Sequence, residues 1–440
     1  MKPQFLISSI GPGNGKTIFA MGLIHALRKR GMKVQPYKCG PEIIDTQLLT
    51  LSADNEAVNL DEWITTYTHI QHTYNKYGEK ADACIIEGNG ALFDGYKRMQ
   101  GSSAEIAKLL NVPVVLLVNA RMAGYSIASI IYGFKHFHPQ VKIVGVVFNQ
   151  ITSSAHYSYL KEACFDAGVD CLGYLPYNAE FKLPSKHSSI TLTTKRTMGT
   201  QINLIADDIE KNVNINRLLM NCNRNFPCQY TLPYSSDIEA ETVIPTSQQI
   251  KIAIARDPAF NFIYKENIAR LSIYGKISYF SPVYGSDLPE ADLIYLPGGY
   301  PELFARQLHR RHKLKNALKE YAEKGGKILA ECGGMAFLGR SITAKEGGTS
   351  YEMCNILPLD FTINSKLNSG YRKMIYNGVE LRGYEFHYSA TNNAENSLIA
   401  TQATNIKGTQ VDLPLYRYKN IIASYGHWYW GDKDILELWK

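Results

Sequence analysis

Two stretches of this chain combine residue types that do chemistry, at spacings that chemistry uses. The first is Gly11-Pro12-Gly13-Asn14-Gly15-Lys16-Thr17, which follows the apolar run Phe5-Leu6-Ile7 and opens a helical pattern. Gly13 and Gly15 let the backbone curl so that N–H groups face phosphate oxygens, and the helix N-terminus adds partial positive charge. Lys16 is placed for the β- and γ-phosphates, and the Thr17 hydroxyl for Mg²⁺. The strict G-x-x-x-x-G-K-[ST] spacing is broken, because Ile10 stands where the first glycine belongs. A plain glycine turn is the blander reading. The strand, loop and helix context favours a nucleotide. Asp45, Glu87 and Asp94 follow apolar runs. Each alone reads as a loop acid, but with the phosphate loop they read as carboxylates for Mg-ATP.

The second stretch is Ala330-Glu331-Cys332-Gly333-Gly334, at the end of an apolar run. A sharp strand-to-helix turn presents a nucleophile, and the small residues after it free the Gly333 N–H for an oxyanion. Gly298-Gly299-Tyr300-Pro301-Glu302 follows the preceding strand and offers a second donor. The base comes from elsewhere in the chain. His427 in Ser424-Tyr425-Gly426-His427-Trp428 is the first candidate, and His387 in Glu385-Phe386-His387 is the other. The competing reading makes Cys332 one buried thiol among eight cysteines.

The elements that must carry these residues alternate along the chain. Val34 to Lys38, Cys84 to Ile86, Val112 to Val118 and Ile143 to Phe148 continue the strand series begun at Phe5. Lys16 to Arg30, Ala104 to Leu110, Ser126 to His136 and Gln201 to Met220 read as helices. Continuous Val/Ile/Leu runs between helices indicate a parallel sheet covered on both faces. Cys222 to Gln249 is rich in Asn, Pro, Ser and Thr and reads as a linker. A second series follows, with strands at Lys251 to Ala255, Leu293 to Leu296 and Lys327 to Ala330, and helices at Phe260 to Ile273 and Pro301 to Lys324. The chain turns β-rich after Ser350. The expected fold is α/β with two doubly wound domains: residues 1–221, a linker at 222–250, and residues 251–440.

The 440 residues are 45% hydrophobic and 20% charged, which excludes long disorder and a disulfide scaffold. The net charge of +7 is mild and carries no basic stripe, so no nucleic-acid partner is expected. Arg28-Lys29-Arg30 and Arg310-Arg311-His312-Lys313 read as solvated faces. No apolar run approaches the ~18 residues of a spanning helix, so no membrane is expected. Eight cysteines without a C-x-x-C pair suit a reducing cytoplasm.

Taken together, these motifs resemble the cobyrinic acid a,c-diamide synthase family. The resemblance rests on Gly40-Pro41-Glu42-Ile43-Ile44-Asp45, Glu87-Gly88, Asp94-Gly95, Gly298-Gly299-Tyr300-Pro301-Glu302-Leu303 and Ala330-Glu331-Cys332-Gly333-Gly334. It rests also on Ala255-Arg256-Asp257, Leu183-Pro184-Ser185-Lys186-His187 and Gly383-Tyr384-Glu385-Phe386-His387-Tyr388-Ser389. It covers nearly the whole chain apart from the linker, in family order. It implies a dethiobiotin-synthetase-like P-loop domain followed by a class I (triad) glutamine amidotransferase domain. The implied reaction amidates the a- and c-acetates of cobyrinic acid, a corrin, with ATP, Mg²⁺ and glutamine. Lys16, Thr17, Gly13 and Gly15 then serve phosphates. Thr17, Asp45 and Glu87 serve the metal. Asp45, Glu87 and Asp94 serve carboxylate activation. Lys38 contacts phosphate or substrate, and Asn149 reads adenine. Cys332 is the glutaminase nucleophile, His427 its base, and Gly298, Gly299 and Gly333 the oxyanion and glutamine site. The reading leaves room for a homodimer.

Five positions depart from the family pattern: Glu42 for Asp, which keeps the charge, Ile43 for Tyr, Lys186 for Arg, Asn119 for Asp, and Tyr429 for a second His. Many triad glutaminases carry Glu at that last place. Two other readings stand beside this one. The same machinery could act on nickel sirohydrochlorin or hydrogenobyrinic acid, or the chain could be a ParA-like nucleotide-switch ATPase. Such switches place a lysine five residues before the loop lysine, where this chain has Gly11, and they have no use for a cysteine elbow.

Overall fold

The computed structural model describes all residues except 122, 182, 184–191, 230–248, 286, 346 and 393–395. The Lys186-His187 part of the Leu183 motif and most of the linker therefore lie outside the described residues. The rest divides into two compact units, 1–229 and 249–440.

The first unit is built on β1 (Lys2–Ser9), β2 (Val34–Cys39), β3 (Val58–Leu60), β4 (Ala83–Glu87), β5 (Val114–Asn119), β6 (Ile143–Ile151) and β7 (Cys171–Pro176). They form a parallel sheet in the order β3-β2-β4-β1-β5-β6-β7. Phe5, Leu6 and Ile7 of β1 are fully buried, as expected for a strand covered on both faces. The helix Lys16–Lys29 buries Phe19, Leu23, Ile24 and Leu27 at helical spacing. Because β1 lies between β4 and β5, the loop after β1 opens where strand order reverses, the usual ligand crevice of such a sheet.

Three sequence expectations shift here. The helix expected at Gln201 to Met220 is two helices, Leu192–Asn212 and Ile215–Asn221. The break falls where Val213 bridges Gly173 and the Asn214 side chain accepts the Arg217 N–H. Strands β3 and β7 carry no long apolar run and were not legible. Residues 222–229, linker by composition, are held on the first unit. There β8 (Asn223–Arg224) pairs antiparallel with the start of β1, and the Gln4 side chain donates to the Arg224 and Asn225 carbonyls.

The second unit contains β9 (Ile250–Ala255), β10 (Gly275–Phe280), β11 (Leu293–Leu296), β12 (Lys327–Glu331), β13 (Ser341–Thr343), β14 (Ser350–Glu352), β15 (Asp360–Tyr376), β16 (Val379–Asn392), β17 (Ile399–Asn405), β18 (Gln410–Tyr418), β19 (Ile421–Ser424) and β20 (Gly426–Tyr429). The order β10-β9-β11-β12-β19 is parallel, and β18, β17 and β15 continue the sheet antiparallel. The long β15–β16 hairpin returns to pair with β20.

Two helices differ from expectation. The Phe260 helix begins at Lys265, because the Asp257 carboxylate collects the Ala259 and Val283 N–H groups and fixes a turn. The Pro301 helix is a 3₁₀ turn (Pro301–Phe304) and two helices, Ala305–His309 and His312–Glu323. The last buries Leu314, Leu318 and Ala322, four residues apart. Among the described residues no helix is long and apolar enough to cross a membrane.

Candidate functional sites

In the first unit the phosphate loop is held by the ends of β5 and β6. The Asn119 N–H donates to Asn14 Oδ1 at 2.9 Å, and Asn149 Nδ2 donates to the Asn14 carbonyl at 2.8 Å. Gly15 has φ +90°, and a Cβ there would stand 2.3 Å from Asn149 Nδ2. Only glycine fits that approach. Asn149 is thus spent on loop shape, since its Oδ1 also accepts the Gln150 N–H. The adenine role expected for Asn149 would require it to give up these bonds.

Lys16 begins the helix, and its Nζ donates to Ser9 Oγ at 2.9 Å and to the Gly90 carbonyl at 2.6 Å. Burial lowers its pKa, and Lys38 adds to the effect. The Thr17 hydroxyl donates to Glu87 Oε1 at 2.6 Å. Lys38 Nζ lies 3.0 Å from the same oxygen and 2.8 Å from Asp45 Oδ2. Burial works to lower the Lys38 pKa, but Asp45 and Glu87 outweigh it and keep the ammonium charged. Burial raises the Glu87 pKa against the pull of Lys38. Asp45 and Glu87 are therefore brought together with Lys38 and Thr17. Asp94 is exposed on the loop after β4. Ile43 is buried.

The donor set fits Mg²⁺. Glu87 Oε2 is buried without a hydrogen-bond partner among the described residues, and Thr17 Oγ1 and the Asp45 carboxylate adjoin it through Oε1 and Lys38. Mg²⁺ keeps several waters and takes one or two carboxylates beside substrate phosphates, so it does not require an all-protein cage.

In the second unit β12 ends at Glu331, and Cys332 turns the chain with φ 43° and ψ −105° into the short helix Gly333–Leu338. That strained conformation is the geometry of a nucleophile elbow. The Gly333 N–H faces the Cys332 sulfur. A Cβ on Gly333 would come 2.8 Å from the Gly299 carbonyl oxygen and 3.1 Å from its nitrogen, so the Gly298-Gly299 loop packs directly against the elbow. The Cys332 sulfur lies 3.9 Å from the Phe386 carbonyl, and burial pushes its pKa up. The cavity at the sulfur is lined by Tyr300, Glu302, Phe386, His387, Tyr388 and Ser389, among others.

Both histidines converge here, in different states. His427 on β20 is buried, and neither ring nitrogen meets hydrogen-bond geometry with a described residue. Burial lowers its pKa to about 4; His387 adds to this, while the Phe386 backbone and Glu385 oppose it. The ring is located sterically: a Cβ on Gly298 would stand 2.1 Å from its Cε1, and Phe262 meets it edge-on with ring centroids 5.5 Å apart. Tyr429 packs edge-on against Tyr264 with ring centroids 5.5 Å apart. His387 is committed instead. Its Nε2 lies 2.8 Å from Glu385 Oε1, its Nδ1 lies 2.8 Å from the Ser389 carbonyl, and it stacks on Tyr425 at 3.7 Å. Arg372 Nε holds the other oxygen of Glu385 at 2.6 Å. A base needs a ring nitrogen with a lone pair to offer, and His427 has one where His387 has none to spare.

Sequence reasoning missed Glu331 as more than a motif letter, and it missed Asn267 and Arg372 altogether. The one available signal was Glu331's place at the end of a buried strand.

Comparisons with known proteins agree with the two-unit division. A family model for a CobQ/CobB/MinD/ParA nucleotide binding domain matches residues 5–190, and one for a CobB/CobQ-like glutamine amidotransferase domain matches residues 251–435. A cobyrinate a,c-diamide synthase of Dehalococcoides mccartyi is 36% identical, covering 99% of this chain and 96% of its own. That of Priestia megaterium is 32% identical, with 99% and 96% covered. That of Saccharolobus solfataricus is 30% identical, with 96% and 97% covered.

Proposed function

Because the chain belongs to the cobyrinate a,c-diamide synthase family, we propose that it amidates the a- and c-acetate carboxylates of cobyrinic acid, using ATP and glutamine. One observation carries this: a single chain holds both a strained cysteine elbow with the Gly333 N–H at its sulfur and a phosphate loop backed by Thr17 and Glu87.

In the first unit a corrin acetate oxygen attacks the γ-phosphate of ATP, the bond to the bridging oxygen breaks and ADP leaves, giving an acyl phosphate. This step needs alignment and charge neutralisation more than covalent help. Lys16 exchanges its neutral oxygen partners for phosphate oxygens. Thr17, Glu87 and Asp45 would hold Mg²⁺, which supplies neutralisation of the phosphate charge. Lys38 bridges Asp45 and Glu87. Asp94, on the exposed loop, serves the carboxylate substrate. Asn149 serves the nucleotide by shaping the loop.

In the second unit Cys332 and His427 rest as neutral thiol and neutral imidazole, since burial disfavours charge on both. Glutamine entry allows His427 to take the thiol proton as sulfur attacks the side-chain amide. The Gly333 and Gly299 N–H groups receive the oxyanion. His427 returns the proton to departing ammonia, then activates water to free glutamate. Ammonia attacks the acyl phosphate, expelling phosphate and forming the amide.

The reading places the protein in the cytoplasm with no nucleic-acid or membrane partner. It leaves room for a homodimer through apolar side chains such as Tyr132, Phe137 and Phe165, exposed by 55%, 68% and 84%. A ParA-like switch gives no role to an amidotransferase domain.

Purified protein with cobyrinic acid, Mg-ATP and glutamine, read by product mass, tests the proposal. A two-amide product requiring both ATP and glutamine is expected. Product only from nickel sirohydrochlorin or hydrogenobyrinic acid would move the substrate. Neither product nor glutamine hydrolysis would sink the reading.

A further inference from the structure

β20 carries His427 yet, among the described residues, pairs with one strand, β16. Its other edge faces β12 without a ladder. Buried backbone groups there still need partners; two side chains supply them and a third, Tyr295, holds those two. Glu331 Oε1 accepts the Trp428 N–H at 2.9 Å. Asn267 Nδ2 donates to the Trp428 carbonyl at 2.8 Å, and Asn267 Oδ1 accepts the Trp430 N–H at 2.9 Å. The Tyr295 hydroxyl donates to Glu331 Oε2 at 2.8 Å and also meets Asn267. Glu331, Tyr295 and Asn267 are each about 1% exposed or less.

The placement along the chain is telling. Glu331 immediately precedes Cys332, and Trp428 immediately follows His427. One hydrogen bond therefore joins the residue before the elbow to the residue after the histidine. A carboxylate buried without a cation is costly. A hydrophobic residue could fill the space, but it could not accept the Trp428 N–H. Neither His427 ring nitrogen meets hydrogen-bond geometry with a described residue, so the ring's place follows from the contacts around it and from where its backbone is pinned.

We propose that Glu331, with Tyr295 and Asn267, forms a buried polar harness that replaces the missing strand beside β20 and sets His427 against Cys332. Glu331 is then a positioning residue for ammonia release from glutamine. The proposal rests on the glutaminase reading of Cys332 and His427.

The test compares E331Q and E331L in the full-length protein. Glutamine keeps an acceptor for Trp428 and a partner for Tyr295; leucine keeps only volume. Glutaminase kcat should fall roughly 100-fold in E331L, the scale of a misplaced catalytic group, with KM for glutamine nearly unchanged. E331Q should restore kcat to within a few-fold. Synthesis driven by added ammonia should persist in both, which also reports that the protein is folded. If E331L fails to fold, Y295F gives a gentler test, expected to lower glutaminase kcat several-fold. Unchanged kcat in E331L or Y295F, or E331Q as damaged as E331L, would overturn the harness. A wild-type protein without glutaminase activity would instead overturn the underlying reading, and the harness with it.

Discussion

The Thr17 hydroxyl donates to one oxygen of Glu87 at 2.6 Å, while the other oxygen of the same carboxylate is buried with no partner among the described residues. A carboxylate with an unsatisfied buried oxygen is an expensive arrangement. A divalent cation bound with phosphate at Thr17 would relieve it. E87Q should therefore weaken Mg²⁺-dependent, ATP-driven amidation by at least ~10- to 100-fold, the usual cost of disturbing groups around a metal. Glutamine hydrolysis, housed in the other unit, should survive. Mg²⁺ titrations of amidation in both proteins decide the matter, and equal Mg²⁺ requirements would exclude Glu87 from the metal site.

Replacing Cys332 separates the two halves of the chemistry. C332S should lose glutamine-dependent amidation by several orders of magnitude, as loss of a covalent nucleophile does. Amidation from added ammonia should continue, because the acyl phosphate forms elsewhere. Full glutamine-dependent synthesis by C332S would remove the cysteine from the mechanism.

Gly298 reports on steric placement of the base. A Cβ at this position would lie 2.1 Å from His427 Cε1, closer than any real contact. G298A must push the imidazole aside, and a displacement near 1 Å costs about 100-fold in rate. Ammonia-dependent synthesis again serves as the internal control. Wild-type glutaminase in G298A would mean that the ring is not held by this contact.

The sequence made both sites legible where chemistry is local. The Gly15-Lys16-Thr17 loop and the Cys332 elbow each join a strand to a helix in consecutive residues, so type and spacing show them directly. Strand carboxylates were legible only as a set: Asp45 and Glu87 meet on Lys38, whereas Asp94 stays exposed on its loop. What sequence could not show depends on non-local packing. β20 and β12 lie far apart in sequence, so nothing announces that Glu331 reaches Trp428. Helix ends shifted for the same reason: Asp257 competes for backbone N–H groups and delays the helix to Lys265. Choosing between His427 and His387 also required structure. Both precede or follow aromatic residues, and only the bonds from His387 to Glu385 and Ser389 separate them.

Two buried groups in the second unit should oppose each other as pH changes. His427 has its pKa lowered to about 4 from 6.5 in the unfolded chain. Below pH 6.5 the unfolded chain takes up a proton that the folded protein refuses, so stability falls until about pH 4, by about 3 kcal/mol in all. Glu331 behaves in the opposite sense, because burial raises its pKa to about 8 from 4.5. Its contribution is full below pH 4.5 and is lost as pH rises toward 8, where the folded protein holds a proton that the unfolded chain has released. Thermal unfolding of the amidotransferase transition across pH 4 to 9 should show both limbs. H427N should flatten the acid limb and leave the alkaline one. E331Q should do the reverse, gaining most over the wild type near pH 8 and above. The glutaminase kcat/KM profile should likewise keep its acid limb well below pH 6.5, since it reports the base of the free enzyme. An acid limb near 6.5 that H427N leaves in place would mean that His427 is neither desolvated nor the base.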